Sequence, residues 1–307
     1  MRPTKLAAVL LTASLLTVAS CSSDSSDDTS SDQTTTTAPA TDGNDTTATT
    51  EVVERPDGPA ADVSQELTGG NGVMIAAADG STFEEPGYVE QEFTAAGTAV
   101  RYTAEGDLPT DGTWDLTEGD TADYRTRIVV RRPEKAEDFN GTVVVEWLNV
   151  SGGLDANPDW MYLADEILRG GYAWVGVSAQ HIGAEGGPVA VRVGAAGDLA
   201  GKGLKAMVPE RYGELSHPGD AYSYDIYTQV SRALRQSGAD GPLGGLEAEA
   251  IIAAGESQSA FALTTYANGV QPLTREFDAF FVHSRGGGAQ GLGTEGGGEQ
   301  ISSAIGS

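Results

Sequence analysis

The chain has 307 residues, with 18 Lys and Arg against 45 Asp and Glu, a formal charge of −27. A field of that sign repels phosphate backbones, and no Lys/Arg cluster or basic stripe offsets it, so nucleic-acid partners are excluded. The single cysteine, Cys21, rules out an intramolecular disulfide and any multi-thiolate metal site. The three histidines, at 181, 217 and 283, form no His-x-His or His-x-x-x-His pair, so no metal is expected.

The amino terminus carries Arg2 and Lys5, an apolar run from Leu6 to Ala19, and small residues before Cys21. This is the pattern of a secretory signal peptide over residues 1–20, and the run falls short of the roughly 20 residues a bilayer-spanning helix needs. Val18-Ala19-Ser20-Cys21 resembles a bacterial lipobox. That resemblance implies a cysteine acylated at the mature terminus and a protein lipid-anchored on the extracytoplasmic face of the cell membrane. Residues 22–50 hold 16 Ser or Thr in 29 positions and no Leu, Ile, Val, Met or aromatic side chain. Nothing there drives collapse, and the acidic excess continues to residue 62, so residues 21–66 are expected to form a disordered stalk ahead of a domain at 67–307.

The domain opens with antiparallel signals. Tyr88 to Tyr102 is β-rich, and the Tyr124 to Arg131 segment alternates with period two, which means one wet face. From Thr142 the pattern changes to that of a parallel sheet. Thr142 to Leu148 is nearly all apolar, as for a strand buried on both faces, and contains Glu146, a carboxylate expected to be a buried anchor for neighbouring loops. The loop Asn149-Val150-Ser151-Gly152-Gly153 follows. Asn157-Pro158 is the expected cap and first turn of a helix whose apolar face is Trp160, Leu163, Ala164, Ile167 and Leu168, ending at Gly170-Gly171. Tyr172 to Ser178 completes a βαβ unit, whose crossover is right-handed.

Residues 181–219 form a long excursion that either shapes a site or is a surface insertion. A helix from about Tyr222 to Arg235, a strand at Ala250 to Ala254, a helix after Ser257 and a strand at Phe277 to Val282 complete the series. His181 follows a strand's carboxyl end, where open parallel sheets bind ligands, and is a pocket candidate. His283 ends the last strand and is a second one, while His217, in Ser-His-Pro-Gly, reads as turn chemistry. Gly286 to Gly291 matches the glycine spacing of a dinucleotide fingerprint, but no helix pattern or acid at the needed distance follows, so no cofactor is expected.

Gly255-Glu256-Ser257-Gln258-Ser259 stands between a buried strand and a helical pattern. Small residues two before and two after a serine let strand and helix approach closely, as a nucleophile elbow requires. At these residues the chain resembles an α/β-hydrolase. More narrowly, Thr142 to Gly153, the Trp160 helix, Trp174 to Gln180 and Gly255 to Ser259 resemble a family of secreted bacterial proteins known as the alpha/beta hydrolase domain family, over roughly residues 70–300. Ser259 stands where glycine is usual.

The resemblance implies an α/β fold with a mostly parallel sheet and leading antiparallel strands, and a serine hydrolase acting on a small ester-like substrate. Ser257 is then the nucleophile, with oxyanion donors from the N–H of Gln258 and from the loop at Val150, Ser151 or Gly152. Chain order in that fold places the acid and the histidine after the nucleophile. Asp278 and His283 lie five residues apart on one expected strand, roughly 16 Å between Cα atoms, too far for a dyad. The family's acid and histidine are therefore expected beyond residue 307, leaving the fold incomplete at its C-terminus. The alternative reading is a catalytically inactive cell-surface binding protein on the same fold.

Overall fold

In the computed structural model the described residues are 54–70, 72–75, 83–192, 194–293 and 300–306. The signal segment and Cys21 lie outside them. Two long strands, β1 (Tyr88–Thr103) and β2 (Thr117–Pro133), form an antiparallel ribbon, and β2 pairs antiparallel with β4 (Ala173–Val177) through Ile128↔Val177 to Arg131↔Trp174. From there the sheet is parallel: β4 to β3 (Thr142–Trp147), β3 to β5 (Ala250–Glu256), and β5 to β6 (Ala279–His283). The spatial order is β1-β2-β4-β3-β5-β6.

The near-continuous apolar run of β3 is explained by two cores. Val143, Val145 and Trp147 face one with Tyr224, Tyr227 and Tyr266, and Val144 and Leu148 face the other with Ile167 and Trp174. The first core is closed by α5 (Ser223–Arg235) and α6 (Gln258–Thr265), the second by α1 (Pro158–Gly170). Trp147, Trp174, Tyr227 and Tyr266 are all fully buried, so at about 25 cal/mol per Å2 these rings are a principal source of folding free energy. Gly171, at φ 71°, ends α1 in the left-handed conformation; a Cβ there would meet the Asp138 carbonyl oxygen at 2.3 Å.

The excursion after β4 contains short helices α2 (His181–Glu185), α3 (Gly203–Met207) and α4 (Pro209–Tyr212). They bury Ala184, Leu204, Val208, Tyr212 and Leu215 around Leu67 in a separate small core. The excursion also bonds to the loop after β3: Ala190 and Val191 donate to the Ser151 carbonyl at 3.0 and 2.8 Å, and Gly201 donates to Gly153 at 2.7 Å. It therefore braces the loop at the carboxyl edge of the sheet.

Two expectations need correction. Residues 54–66 were assigned to the stalk by composition, yet they run along the domain. Asp62 bridges Ala96, Glu66 bridges Phe93, and Ala61 donates to the Gln229 carbonyl at 2.9 Å. The first two are main-chain pairings to the otherwise open edge of β1 and the third is a bond to α5, none of which composition registers. Asn157 occupies the position before α1, but its side chain makes no capping bond and its Oδ1 is unpartnered among the described residues. Glu146 caps the helix instead. The glycine-rich stretch contributes a strand, β7 (Gly288–Gln290), paired antiparallel with β8 (Gln300–Ser302).

Candidate active site

β5 ends at Glu256, α6 begins at Gln258, and Ser257 alone makes the turn between them. Its φ of 55° and ψ of −110° lie where residues with a Cβ are strained, a state that costs about 1–3 kcal/mol and persists only where the surroundings enforce it. The enforcement is visible. Phe261 N–H donates to the Ser257 carbonyl at 3.2 Å, Ser257 N–H donates to the His283 carbonyl at 3.2 Å, and a Cβ on Gly255 would meet Leu263 Cδ1 at 2.8 Å. Ser259, fully buried, meets the same demand for a small residue. The Ser257 side chain is half-buried and makes no capping bond to its own helix.

Of the amides expected to line an oxyanion site, two are already engaged. Val150 N–H donates to Gln258 Oε1 at 3.3 Å and Ser151 N–H to Asn149 Oδ1 at 2.9 Å. Gly152 N–H makes no hydrogen bond among the described residues. Gln258 N–H, in the first turn of α6, has no intrahelical acceptor, and the helix dipole favours negative charge beside it. Of the four, the N–H groups of Gly152 and Gln258 are the two left without an acceptor among the described residues, while Val150 and Ser151 hold the loop.

His283 ends β6 opposite Glu256. Its Nε2 lies 2.7 Å from Asp159 Oδ1 and its Nδ1 3.0 Å from Ser284 Oγ, and Ser284, like Ser257 and Arg275, is a non-glycine residue at positive φ, 57°. An imidazole bonded to a buried carboxylate from α1 thus ends the strand whose last carbonyl accepts the Ser257 N–H. Asp278 is not involved: it binds Arg235 and Arg55 and accepts the Ile251 N–H at 2.7 Å. His181 is held by its own N–H on Asp220 Oδ1 at 2.6 Å and meets the His217 ring edge-on at 6.1 Å. His217 is buried; its Nε2 contacts the Ala179 carbonyl at 2.9 Å and its Nδ1 accepts the Gly219 N–H at 3.2 Å. Its turn role is as expected, and burial lowers its pKa, which favours the neutral ring that can accept from Gly219.

Sequence reasoning missed Asp159, Asn149 and the amides of Gln180 and Gln290. Each lies in or beside a segment that was read as loop or helix start, and the one usable signal was a polar side chain at a position the fold buries.

Glu146 explains how α1 is aimed at this edge. Fully buried, it accepts from Asp159 N–H at 3.0 Å, Trp160 N–H at 2.9 Å and Trp174 Nε1 at 2.8 Å. Burial and the adjacent Asp159 carboxylate nevertheless outweigh those donors and push its pKa up to about 8. The folded protein therefore keeps a proton that the unfolded chain releases near 4.5, and the stability this contributes, complete below that value, is lost as pH rises toward 8. Glu146→Gln, permanently neutral, is expected to flatten the fall in urea midpoint between about pH 5 and pH 8. An unchanged slope in the variant overturns this assignment.

Two surface cavities, of about 320 and 520 Å3, lie elsewhere, around Arg125 and Arg211 and around Trp114 and Arg275, and Ser257 lines neither. Among the described residues no group of three His, Cys, Asp or Glu side chains is placed to hold a metal.

A mostly parallel sheet whose strand–serine–helix turn sits at its carboxyl edge defines the α/β-hydrolase class of fold. Residues 53–305 match the family model described as "Alpha/beta hydrolase domain", and the chain belongs to that family. No curated protein matches it. Among solved structures it is similar to a ligand-bound form of the rice cell wall degrading esterase from Xanthomonas oryzae, with 15% identity, 62% of this chain and 40% of that chain covered, and a TM-score of 0.30. A glucuronoyl esterase from Teredinibacter turnerae gives 14%, 69%, 44% and 0.30, and the glucuronoyl esterase from Solibacter usitatus gives 10%, 76%, 53% and 0.33. The chain spans between 40% and 53% of the length of these three.

Proposed function

We propose that this protein is a serine hydrolase that cleaves small carboxylic esters through an acyl-enzyme on Ser257. The observation that carries the reading is the backbone of Ser257, held at φ 55° between β5 and α6 with its hydroxyl uncommitted to capping. In this chemistry Oγ bonds to the ester carbonyl carbon, the hydroxyl proton passes to a histidine, and the carbonyl oxygen becomes an oxyanion held by the N–H groups of Gln258 and Gly152. Collapse of that adduct breaks the bond to the alkoxide, which leaves with the proton; water then repeats the sequence to free the acid. His283 is joined through its carbonyl to the Ser257 amide, but both of its ring nitrogens are engaged, by Asp159 and Ser284, so it borders the turn without standing as the base.

The test is labelling with a fluorophosphonate probe followed by peptide mapping. Label on Ser257 supports the proposal. A folded protein that takes no label and turns over no ester is a binding protein on this fold, and the hydrolase reading is then wrong.

The proposal extends to location: a protein tethered to a membrane surface through acylated Cys21, acting on extracytoplasmic esters. The support is the lipobox-like segment and the position of the sole cysteine within it. Cys21→Ala is expected to move the protein from the membrane to the soluble fraction, and unchanged fractionation rejects the anchor.

A further inference from the structure

The elbow and the loop after β3 are joined by two amide side chains that reach across in opposite directions. From the loop, Asn149 Nδ2 donates to the Glu256 carbonyl at 3.0 Å, one residue before the nucleophile candidate. From the elbow, Gln258 Oε1 accepts the Val150 N–H at 3.3 Å, one residue after Asn149. Each residue is also fixed on its own side. Asn149 Oδ1 accepts from Ser151 N–H at 2.9 Å and Ser151 Oγ at 2.7 Å, which folds the loop back on itself. Gln258 Nε2 donates to Gln180 Oε1 at 2.7 Å and Gln290 Oε1 at 3.2 Å. Gln180 Oε1 in turn accepts from Trp147 Nε1 at 3.0 Å, so the amide chain is rooted in the fully buried end of β3. Asn149 is 5% exposed and Gln258 7%, so water does not compete for these bonds.

We infer that Asn149 and Gln258 are positioning residues, a reciprocal clasp that sets the spacing between the Ser257 hydroxyl and the oxyanion donor at Gly152. The inference rests on the serine hydrolase reading and deepens it. Ser257 and Gln258 N–H belong to the β5–α6 turn, whereas Gly152 N–H belongs to a loop on a different strand. A tetrahedral adduct must be held from both at once, so the distance between the two segments enters the barrier directly, and a 1 Å error can cost about 100-fold in rate. The oxyanion exists only in the transition state, so a misplaced donor is expected to lower kcat rather than raise KM.

The test is a double-mutant cycle with Asn149→Asp and Gln258→Met on p-nitrophenyl ester turnover, fluorophosphonate labelling rate and melting temperature. Asn149→Asp keeps the acceptor that folds the loop but loses the donor to Glu256. Gln258→Met keeps the length of the side chain but loses every polar contact. Each is expected to lower kcat about 10- to 100-fold, with KM within about twofold and labelling slowed in parallel. The double variant is expected to lose little more than the worse single, because both open the same clasp. Gln258→Asn, the same amide one methylene shorter, carries the test should the methionine variant not fold, and is expected to lose kcat likewise. Losses that multiply, kcat unchanged, or a fall in kcat that follows a fall in melting temperature each overturn the clasp. Parent protein that takes no label on Ser257 defeats the hydrolase reading instead, whereas labelled parent with equally fast variants defeats the clasp alone.

Discussion

Ser257→Ala is expected to reduce ester turnover by about 10,000-fold or more and to abolish fluorophosphonate labelling, while leaving the melting temperature within a few degrees of the parent. The two halves of that result have separate causes. On the hydrolase proposal the hydroxyl supplies the bond-forming oxygen, and without it the amides of Gln258 and Gly152 have no adduct to hold. The same hydroxyl caps nothing in α6, so its removal leaves no buried group unsatisfied. Alanine keeps the Cβ and therefore the strain at φ 55°, whereas Ser257→Gly relieves it and is expected to raise stability by about 1 kcal/mol with equal loss of activity. A variant more stable than its parent and inactive is the signature of a residue kept for chemistry. Turnover within tenfold of the parent in Ser257→Ala sinks the assignment, as does a large fall in melting temperature.

Fold and site were legible in the sequence to different depths because they are written in different kinds of signal. β3 and β4 are buried on both faces, and their apolar runs give them away; α1 shows an apolar stripe from Trp160 to Ile167, of which Ile167 is buried and Trp160 and Leu163 partly so. The turn at Ser257 was readable because strand, small residues and helix meet in one short segment. Partners brought together from distant segments left no such trace. Asp159 and His283 are 124 residues apart and touch because Glu146 aims the first turn of α1 at the end of β6. Asn157 looked like the cap of that helix, since Asn before Pro is a local rule, but a carboxylate from the neighbouring strand took the role. The Gly152 loop followed from the fold family, yet which of its amides are committed depended on Asn149 and Gln258 side chains whose reach only the packed structure defines.

Arg127→Met is expected to destabilise the protein by about 3–5 kcal/mol, the largest single loss among side chains outside the aromatic core. Arg127 is fully buried in β2 and bonds through Nη1 to Glu92 Oε1 at 2.9 Å and the Met74 carbonyl at 2.6 Å, through Nη2 to Asp155 Oδ2 at 2.6 Å, and through Nε to Ser178 Oγ at 2.9 Å. The two carboxylates hold its pKa above the ordinary value in spite of burial. The cost of removal falls unequally on them. Glu92 keeps Arg211 and the Tyr212 hydroxyl, at 2.8 Å from its Oε1, while Asp155 keeps only Ser178 Oγ, its Oδ1 having no partner among the described residues. The isolated charge at Asp155 is therefore the dominant penalty, and Arg127→Met combined with Asp155→Asn is expected to recover part of the loss in urea denaturation. Arg127→Lys is expected to remain destabilised, because one ammonium does not span four acceptors that a planar guanidinium reaches. Asp155 lies in the segment that Asn149 and Val150 tie to the elbow, so the single Arg127→Met variant is also expected to lose turnover at temperatures well below its own melting point. Equal stability of the single and double variants would show that Asp155 is not the charge that matters, and that the Arg127 cluster holds the excursion rather than the loop.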